Sequence, residues 1–440
     1  MKRDGKALFF GDKNVMPIAG YYGPLDRFDD SDPIFHNRVD EHHFQALAEA
    51  GINLIAYCDV DYKKQPDLVM KSLDLCEKYG IRYMVFDSNI VDCAEQPDHP
   101  DYTTEKIEQY LSKYANHPAF GGPFLVDEPK SSDWVGGTKL IENYKSMIDV
   151  LQNQLGYVPY QSPINVWSID REGYRESYEK YLDEYFETIQ PQFVTWAYYP
   201  YSANKEDGFY GYFYNMNLMR EHAKKAGIPY WSSIQAGGQW NDDKKHFDSE
   251  LPYYPNEAQF DWNVNTVLAF GAQGISFFPL VQPEHFAWAG TEEEPEWDFK
   301  RNGLLGGTGE KNQWWHYAKR ITKHIRAIDE VLMNCAHEGI IVTSDTAKIE
   351  TREVTCRIET GTFRELQSVL GDAMVGCFDY NGKTALYVVN YSREHSQQIT
   401  LAFGEVHNLR VIRNAEESHV NTKVFEVEMA AGEGLLLVIE

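Results

Sequence analysis

Residues 40–58 read DEHHFQALAEAGINLIAYC, two structural periods joined at one glycine. Asp40–Ala50 has the spacing of an amphipathic helix, Gly51 stops it, and Ile52–Cys58 is a short apolar run with strand character. Glycine supplies the left-handed cap that lets a helix end and the chain turn into a strand. The same joint recurs at Tyr79-Gly80 before Ile81, at Ala226-Gly227 before Ile228, and at Phe270-Gly271-Ala272-Gln273-Gly274 before Ile275.

Counting outward from these joints gives eight strand-like segments. They are Met16–Tyr22, Ile52–Cys58, Ile81–Asp87, Gly121–Asp127, Val158–Val166, Gln192–Tyr199, Ile228–Gln235 and Gly274–Leu280. Helical stretches separate them, which is the rhythm of an α/β protein folded as a (β/α)8 TIM barrel. An open doubly wound sheet usually has fewer strands, and no glycine-rich phosphate loop follows the first segment. After a final helix over residues 312–333 the texture changes. Short alternating runs such as TALYVVNYS (384–392) and GLLLVIE (434–440) predict a C-terminal antiparallel β-sandwich. The expected division is a barrel over 1–335 and a sandwich over 336–440.

The bulk numbers narrow the function. The chain has 440 residues, enough for two domains. With 67 acids against 41 bases its formal net charge is −26, which repels phosphate backbones and anionic membranes. Nucleic acid and membrane are therefore not expected partners. Aromatics make up 14%, with 29 Tyr and 10 Trp, and flat rings with polar tips suit sugar surfaces. The six cysteines form no CxxC pair and read as small buried hydrophobes of a reducing compartment. The apolar run near the N-terminus is too short for a signal peptide, so a cytoplasmic location is expected. His36, His42 and His43 read as surface histidines, and no metal or cofactor is expected. Homo-oligomerisation is left open.

In a barrel, chemistry sits at the C-terminal strand ends. Gly121–Pro129, GGPFLVDEP, brings two acids to the end of a buried strand, where they are costly to desolvate. Pro129 fixes its own φ and biases Glu128 towards extended backbone. The other strand ends supply Tyr21, Tyr22, Tyr57, Asp59, Asp87, Trp167, Trp196, Tyr198, Tyr199, Gln235, Trp240, Glu284 and Trp288. Carboxyl groups with aromatic walls are what glycoside hydrolysis needs: an acid to protonate the leaving oxygen, and ring faces to hold the sugar. Tyr22, Tyr57, Asp87, Trp167, Trp196, Tyr199, Trp240 and Trp288 are the expected carbohydrate-binding residues. Alternation places one of Tyr21 and Tyr22 inward and the other towards the helices.

Asp127-Glu128-Pro129 resembles the strand-four Asn-Glu-Pro of the large clan of retaining barrel glycosidases, and the Asp-Glu-Pro variant looks like that of many gut-bacterial members. "LAFGAQGISFF" before strand eight and the barrel followed by a sandwich are also similar. The resemblance implies that Glu128 is the acid/base. It departs at strand seven, where the clan's nucleophilic Glu is replaced by Gln235. The adjacent Asp-Glu pair is similar to hexosaminidase families 20 and 123. There the Asp steadies a 2-acetamido group that acts as nucleophile. By that match Asp127 takes this role, with Tyr198 or Gln235 as a hydrogen-bonding partner of the acetamido oxygen. Two other schemes are a nucleophile at Glu284, or water activated by Asp59 or Asp87. A non-catalytic carbohydrate-binding barrel is the alternative of a different class.

Overall fold

The computed structural model describes residues 15–27, 36–96, 98–132, 139–165, 174–201, 208–237, 255–282, 303–306 and 309–440. All eight expected segments contain strand: Ile18–Tyr22; Leu54–Ile55 and Tyr57–Cys58; Arg82–Val85; Phe120–Asp127; Tyr160–Ser162; Val194–Trp196; Tyr230–Gln235; and Ile275–Gln282. They form two arcs of parallel strands. One runs in the order second (Tyr57–Cys58), first, eighth, seventh, sixth, with Leu305–Gly306 added beside the eighth. The other runs second (Leu54–Ile55), third, fourth, fifth. The two pieces of the second strand flank Ala56, whose N–H still bonds the Gly20 carbonyl at 3.1 Å.

Among the described residues, the fifth and sixth strands have no backbone ladder between them. Side chains span the gap instead: Gln161 Nε2 donates to Phe193 O (3.1 Å) and Ser162 Oγ to Thr195 O (2.9 Å). The fifth strand is shorter than the expected 158–166 because Pro163 brings no N–H to the ladder.

Three of the glycine joints work as the sequence predicts. Gly51, Gly80 and Gly227 have φ of 84°, 71° and 67°. The residue after each donates back five positions: Ile52 to Leu47 (3.0 Å), Ile81 to Cys76 (2.8 Å), Ile228 to Ala223 (3.0 Å). This is the Schellman cap. At the fourth joint the cap is Gly271 (φ 83°), with Ala272 N–H bonding Val267 O. Gly274 is small for another reason, since a Cβ there would lie 2.4 Å from the Trp231 ring.

Inside the arcs lies a separate core of Ala19, Leu54, Ala56, Met84, Phe124, Val158, Tyr160, Phe193 and Trp231. The rings of Tyr57, Phe124 and Tyr160 stack at 4.8 and 5.2 Å, and Phe193 stacks on Trp231 at 4.4 Å. This aromatic floor closes the interior beneath the strand ends.

Beyond helix Gln313–Leu332 comes a seven-stranded antiparallel sheet. The long strand Gln397–Arg413 pairs with Leu366–Leu370 through its first half and with Gly434–Ile439 through its second. The expected sandwich layers are thus joined in one hydrogen-bonded sheet, curled over Val375, Cys377, Leu386, Val388, Ile399, Leu401, Leu435 and Leu437. The alternate residues Met374, Ala385, Tyr387, Val389, Leu436 and Val438 belong to the core shared with the helices. Helix Glu257–Ala269 packs against this second face, with Asn265 donating to Gly432 O (2.8 Å) and accepting from the Tyr387 hydroxyl (2.7 Å). Among the described residues no helix is long and apolar enough to cross a membrane.

Candidate active site

The fourth strand is buried from Phe120 to Val126 and surfaces only at Asp127 and Glu128. Its local geometry differs from the sequence expectation at one point. Glu128 is not extended; its φ is 52°, in the left-handed region that a side chain occupies at a cost. Its N–H bonds Ser162 O at 2.8 Å, which turns the residue towards the end of the fifth strand.

Both carboxyl groups are densely surrounded yet partly accessible. Burial holds both above the ordinary carboxylate range, and for Glu128 the neighbouring Asp127 charge adds to the effect. Lys139 opposes this, its positive charge favouring the ionised pair.

A third carboxyl, Asp59, follows the second strand. Asp59 is half-buried, accepts a hydrogen bond from the Tyr21 hydroxyl, and is pushed up to about 6 by burial. The Tyr57 ring ties the groups together. Its ionisation is opposed first by burial and then by the charges of Asp127 and Asp59, with Glu128 contributing less. Tyr21 lies tilted against Tyr57 (5.0 Å, 51° between planes) and stacks on Phe278 (5.2 Å), and Phe278 stacks on Tyr199 (5.5 Å). Burial raises Tyr199, and the charges of Glu128 and Asp127 add to it. Tyr57 and Tyr199 thus lie within electrostatic reach of Asp127 and Glu128, Tyr57 also of Asp59, and Tyr21 and Phe278 pack beside these rings.

Several expected residues lie elsewhere. Tyr22 faces the helices, against Phe44 (5.3 Å) and the His43 ring nitrogen (3.1 Å), so the inward tyrosine is Tyr21. His43 is buried there rather than on the surface. Trp196 and Tyr198 are fully buried and both pack on Tyr212 of helix Gly208–Ala226, at 6.1 and 5.9 Å, in the layer between sheet and helices. Gln235 is a latch: its amide donates to Tyr201 O and Gly237 O (both 3.1 Å) and its oxygen accepts from Tyr201 N–H (3.2 Å). Both amide hydrogens are engaged, so it has no donor for a substrate acetamido oxygen.

Asp87 caps helix Ser88–Glu95. Its Oδ1 accepts from Asn89 N–H (3.0 Å) and Nδ2 (2.9 Å), and its Oδ2 from the Tyr114 hydroxyl (3.1 Å). Those bonds, with its burial, give it the role of a helix cap. Asp87→Ala is expected to lower stability by about 1–3 kcal/mol, from the lost cap and the stranded Tyr114 hydroxyl. Thermal denaturation checks this. Trp167, Trp240, Trp288 and Glu284 lie outside the described residues. Among the described residues no group of three or more His, Cys, Asp or Glu is arranged to hold a metal ion.

Sequence reasoning did not single out Phe278, Tyr160 or Lys139, and it ranked Tyr22 over Tyr21. A signal for Tyr21 existed. It shares its strand face with Ala19, whose small side chain fits the crowded interior.

No family model matches the chain, and no curated protein does. Solved structures are similar in fold. A family 39 glycoside hydrolase from the gut symbiont Bacteroides cellulosilyticus WH2 superposes with a TM-score of 0.51 at 10% identity, over 97% of this chain and 82% of its own. A β-galactosidase from the psychrophilic Marinomonas ef1 gives 0.48 at 10% identity, over 77% of this chain; the chain spans 65% of that enzyme. A β-D-glucuronidase from Dictyoglomus thermophilum gives 0.44 at 12% identity, over 70% of this chain and 50% of its own. In fold, this chain resembles the barrel glycosidases.

Proposed function

We propose that this chain is a glycoside hydrolase. In this reading its eight parallel strands close as a (β/α)8 barrel over residues 1–335, followed by a sandwich over 336–440. Glu128 is the general acid/base on an O-glycosidic bond of an oligosaccharide or glycoconjugate. The observation that carries the reading is the acidic pair at the end of the fourth strand. Asp127 and Glu128 are partly accessible, hold their protons more tightly than ordinary carboxylates, and lie beside the Tyr57 and Tyr199 rings, with Asp59 also near Tyr57.

Glu128 begins protonated and gives its proton to the glycosidic oxygen as the C–O bond breaks. Asp127, the more readily ionised of the two, steadies a 2-acetamido group whose carbonyl oxygen bonds to the anomeric carbon. Water then opens that ring, Glu128 takes the water's proton, and configuration is retained. The engagement of Gln235 and the burial of Tyr198 turn the role of guiding the acetamido oxygen to Tyr57 or Tyr199, both of which feel the charges of Asp127 and Glu128.

The Tyr21–Asp59 hydrogen bond favours a second reading, in which Asp59 is the partner of Glu128. Asp59 then attacks the anomeric carbon directly or activates water, and the two outcomes differ in product stereochemistry.

A panel of 4-nitrophenyl glycosides with and without a 2-acetamido group, followed by proton NMR of the first-formed anomer, tests both. Activity confined to acetamido sugars with retention supports assistance by the substrate. Turnover of plain hexosides excludes an obligatory acetamido nucleophile, and Asp59→Asn should then lower kcat by about 10²–10⁴-fold. Saturable sugar binding with no turnover on any member would overturn the hydrolase reading in favour of a binding protein.

A further inference from the structure

Glu128 occupies a position that two forces work to undo. Its φ of 52° is unfavourable for a residue with a side chain. When ionised, its carboxylate is also repelled by Asp127. Pro129, next in the chain, has no N–H with which to hold the turn. A buried phenol supplies an anchor. The Tyr181 hydroxyl donates to the Pro129 carbonyl at 2.8 Å and accepts the Ile164 N–H at 3.0 Å.

Tyr181 is 2% exposed and stands on helix Tyr174–Ile189 between Tyr178 and Tyr185, each with its ring centroid 6.2 Å away. The three recur at helical spacing on the face turned towards the sheet. Tyr178 is the instructive neighbour. It is equally buried and feels the Glu128 charge as Tyr181 does, but among the described residues its hydroxyl bonds the Ile164 carbonyl, at 3.2 Å, and not the chain at Pro129. Tyr181 alone of the pair spans from the chain after the fifth strand to the chain after Glu128. On the other side, Glu128 N–H is bonded to Ser162 O. The turn that aims Glu128 is therefore held at both of its ends by the fifth-strand side of the sheet.

We propose that Tyr181 is a positioning residue for Glu128, its hydroxyl fixing the Glu128–Pro129 turn so that the carboxyl stays beside Asp127. The functional consequence rests on the reading of Glu128 as the acid/base. The clamp itself does not.

The test compares Tyr181→Phe with Tyr178→Phe, each of which removes one oxygen atom from a buried ring. Glutamate is labelled with carbon-13 at its carboxyl, and the Glu128 resonance is assigned by its loss in Glu128→Gln. Freeing the turn lets Glu128 move away from Asp127 and into water. Its titration midpoint in Tyr181→Phe is then expected to fall by about one unit, with kcat down about tenfold and KM within about twofold. Tyr178→Phe should match the wild type in both readouts at a comparable loss of thermal stability. A lowered midpoint with unchanged kcat leaves the clamp standing and removes Glu128 from the chemistry. An unchanged Glu128 midpoint in Tyr181→Phe, or an equal shift in both variants, overturns the proposal.

Discussion

Glu128→Gln is expected to lower kcat/KM by about 10²–10⁴-fold on a glycoside with a poor leaving group, in a protein that folds as the parent does. The glutamine keeps the shape and the polar contacts but cannot deliver a proton. The loss should be smaller on 4-nitrophenyl glycosides, whose leaving group departs without protonation. In the parent, kcat/KM should fall as pH rises through about 7, where burial and the Asp127 charge place the Glu128 proton. That limb should disappear in the variant.

Stability should change in the opposite sense, and the sign follows from linkage. The folded-state pKa of Glu128 is raised above its ordinary value of 4.5. Its favourable contribution is therefore fully present below about 4.5 and is lost as pH rises through about 7. At pH 8 the parent carries a buried charge beside Asp127 and the variant does not. Tm of Glu128→Gln should exceed that of the parent by about 2–4 °C at pH 8 and converge with it at pH 4. Scanning calorimetry at the two pH values checks this, and an offset independent of pH would show that the carboxyl is not buried as described.

Gly122→Ala is expected to cost about 2–5 kcal/mol and to abolish turnover, whereas Gly121→Ala should cost less than about 1 kcal/mol. The two glycines are neighbours on the strand that carries Asp127 and Glu128, but their surroundings differ. Gly122 has φ 141°, and a Cβ there would lie 2.4 Å from the Val158 carbonyl oxygen, a backbone atom with no room to retreat. The register against the third strand shifts at this point, with Tyr83 opposite Phe120 and Met84 opposite Gly122. A Cβ on Gly121 would find its nearest neighbours at 3.4 Å, in ordinary contact. The methyl at 122 must push the fourth strand off the fifth, and with it both carboxyl groups and the Ser162 bond to Glu128. Thermal denaturation and soluble yield of the two variants, side by side, decide it. Equal stability of the pair would remove Gly122 from any special role.

The acids at the end of the fourth strand were legible because their cost is local. An apolar run that ends on Asp127-Glu128-Pro129 has few structural motives, whatever packs around it. The alternation of strands and helices was legible for the same kind of reason. Each element declares itself within about a dozen residues, and the positive φ after helices 41–49, 66–79 and 208–226 calls for glycine from the backbone itself, with nothing else near a Cβ at Gly80 and Gly227.

The direction in which each side chain faces was not legible, because it depends on what covers it. Tyr21 and Tyr22 are identical in the sequence, yet one meets Asp59 and the other Phe44. Trp196 and Tyr198 look like sugar platforms until helix Gly208–Ala226 is laid over them. Asp87 and Gln235 look like chemistry until Tyr114 and the Tyr201 backbone take up their hydrogen bonds. In the last strand, Leu435 and Leu437 pack in the sheet's own core and Leu436 and Val438 in the core shared with the helices. Both faces are apolar because both are covered. The sequence by itself determined the order of strands and helices and where the acidic pair falls. The tertiary structure alone decided which groups lie near that pair, because Tyr57 and Tyr199 come near it only when distant strands are laid side by side.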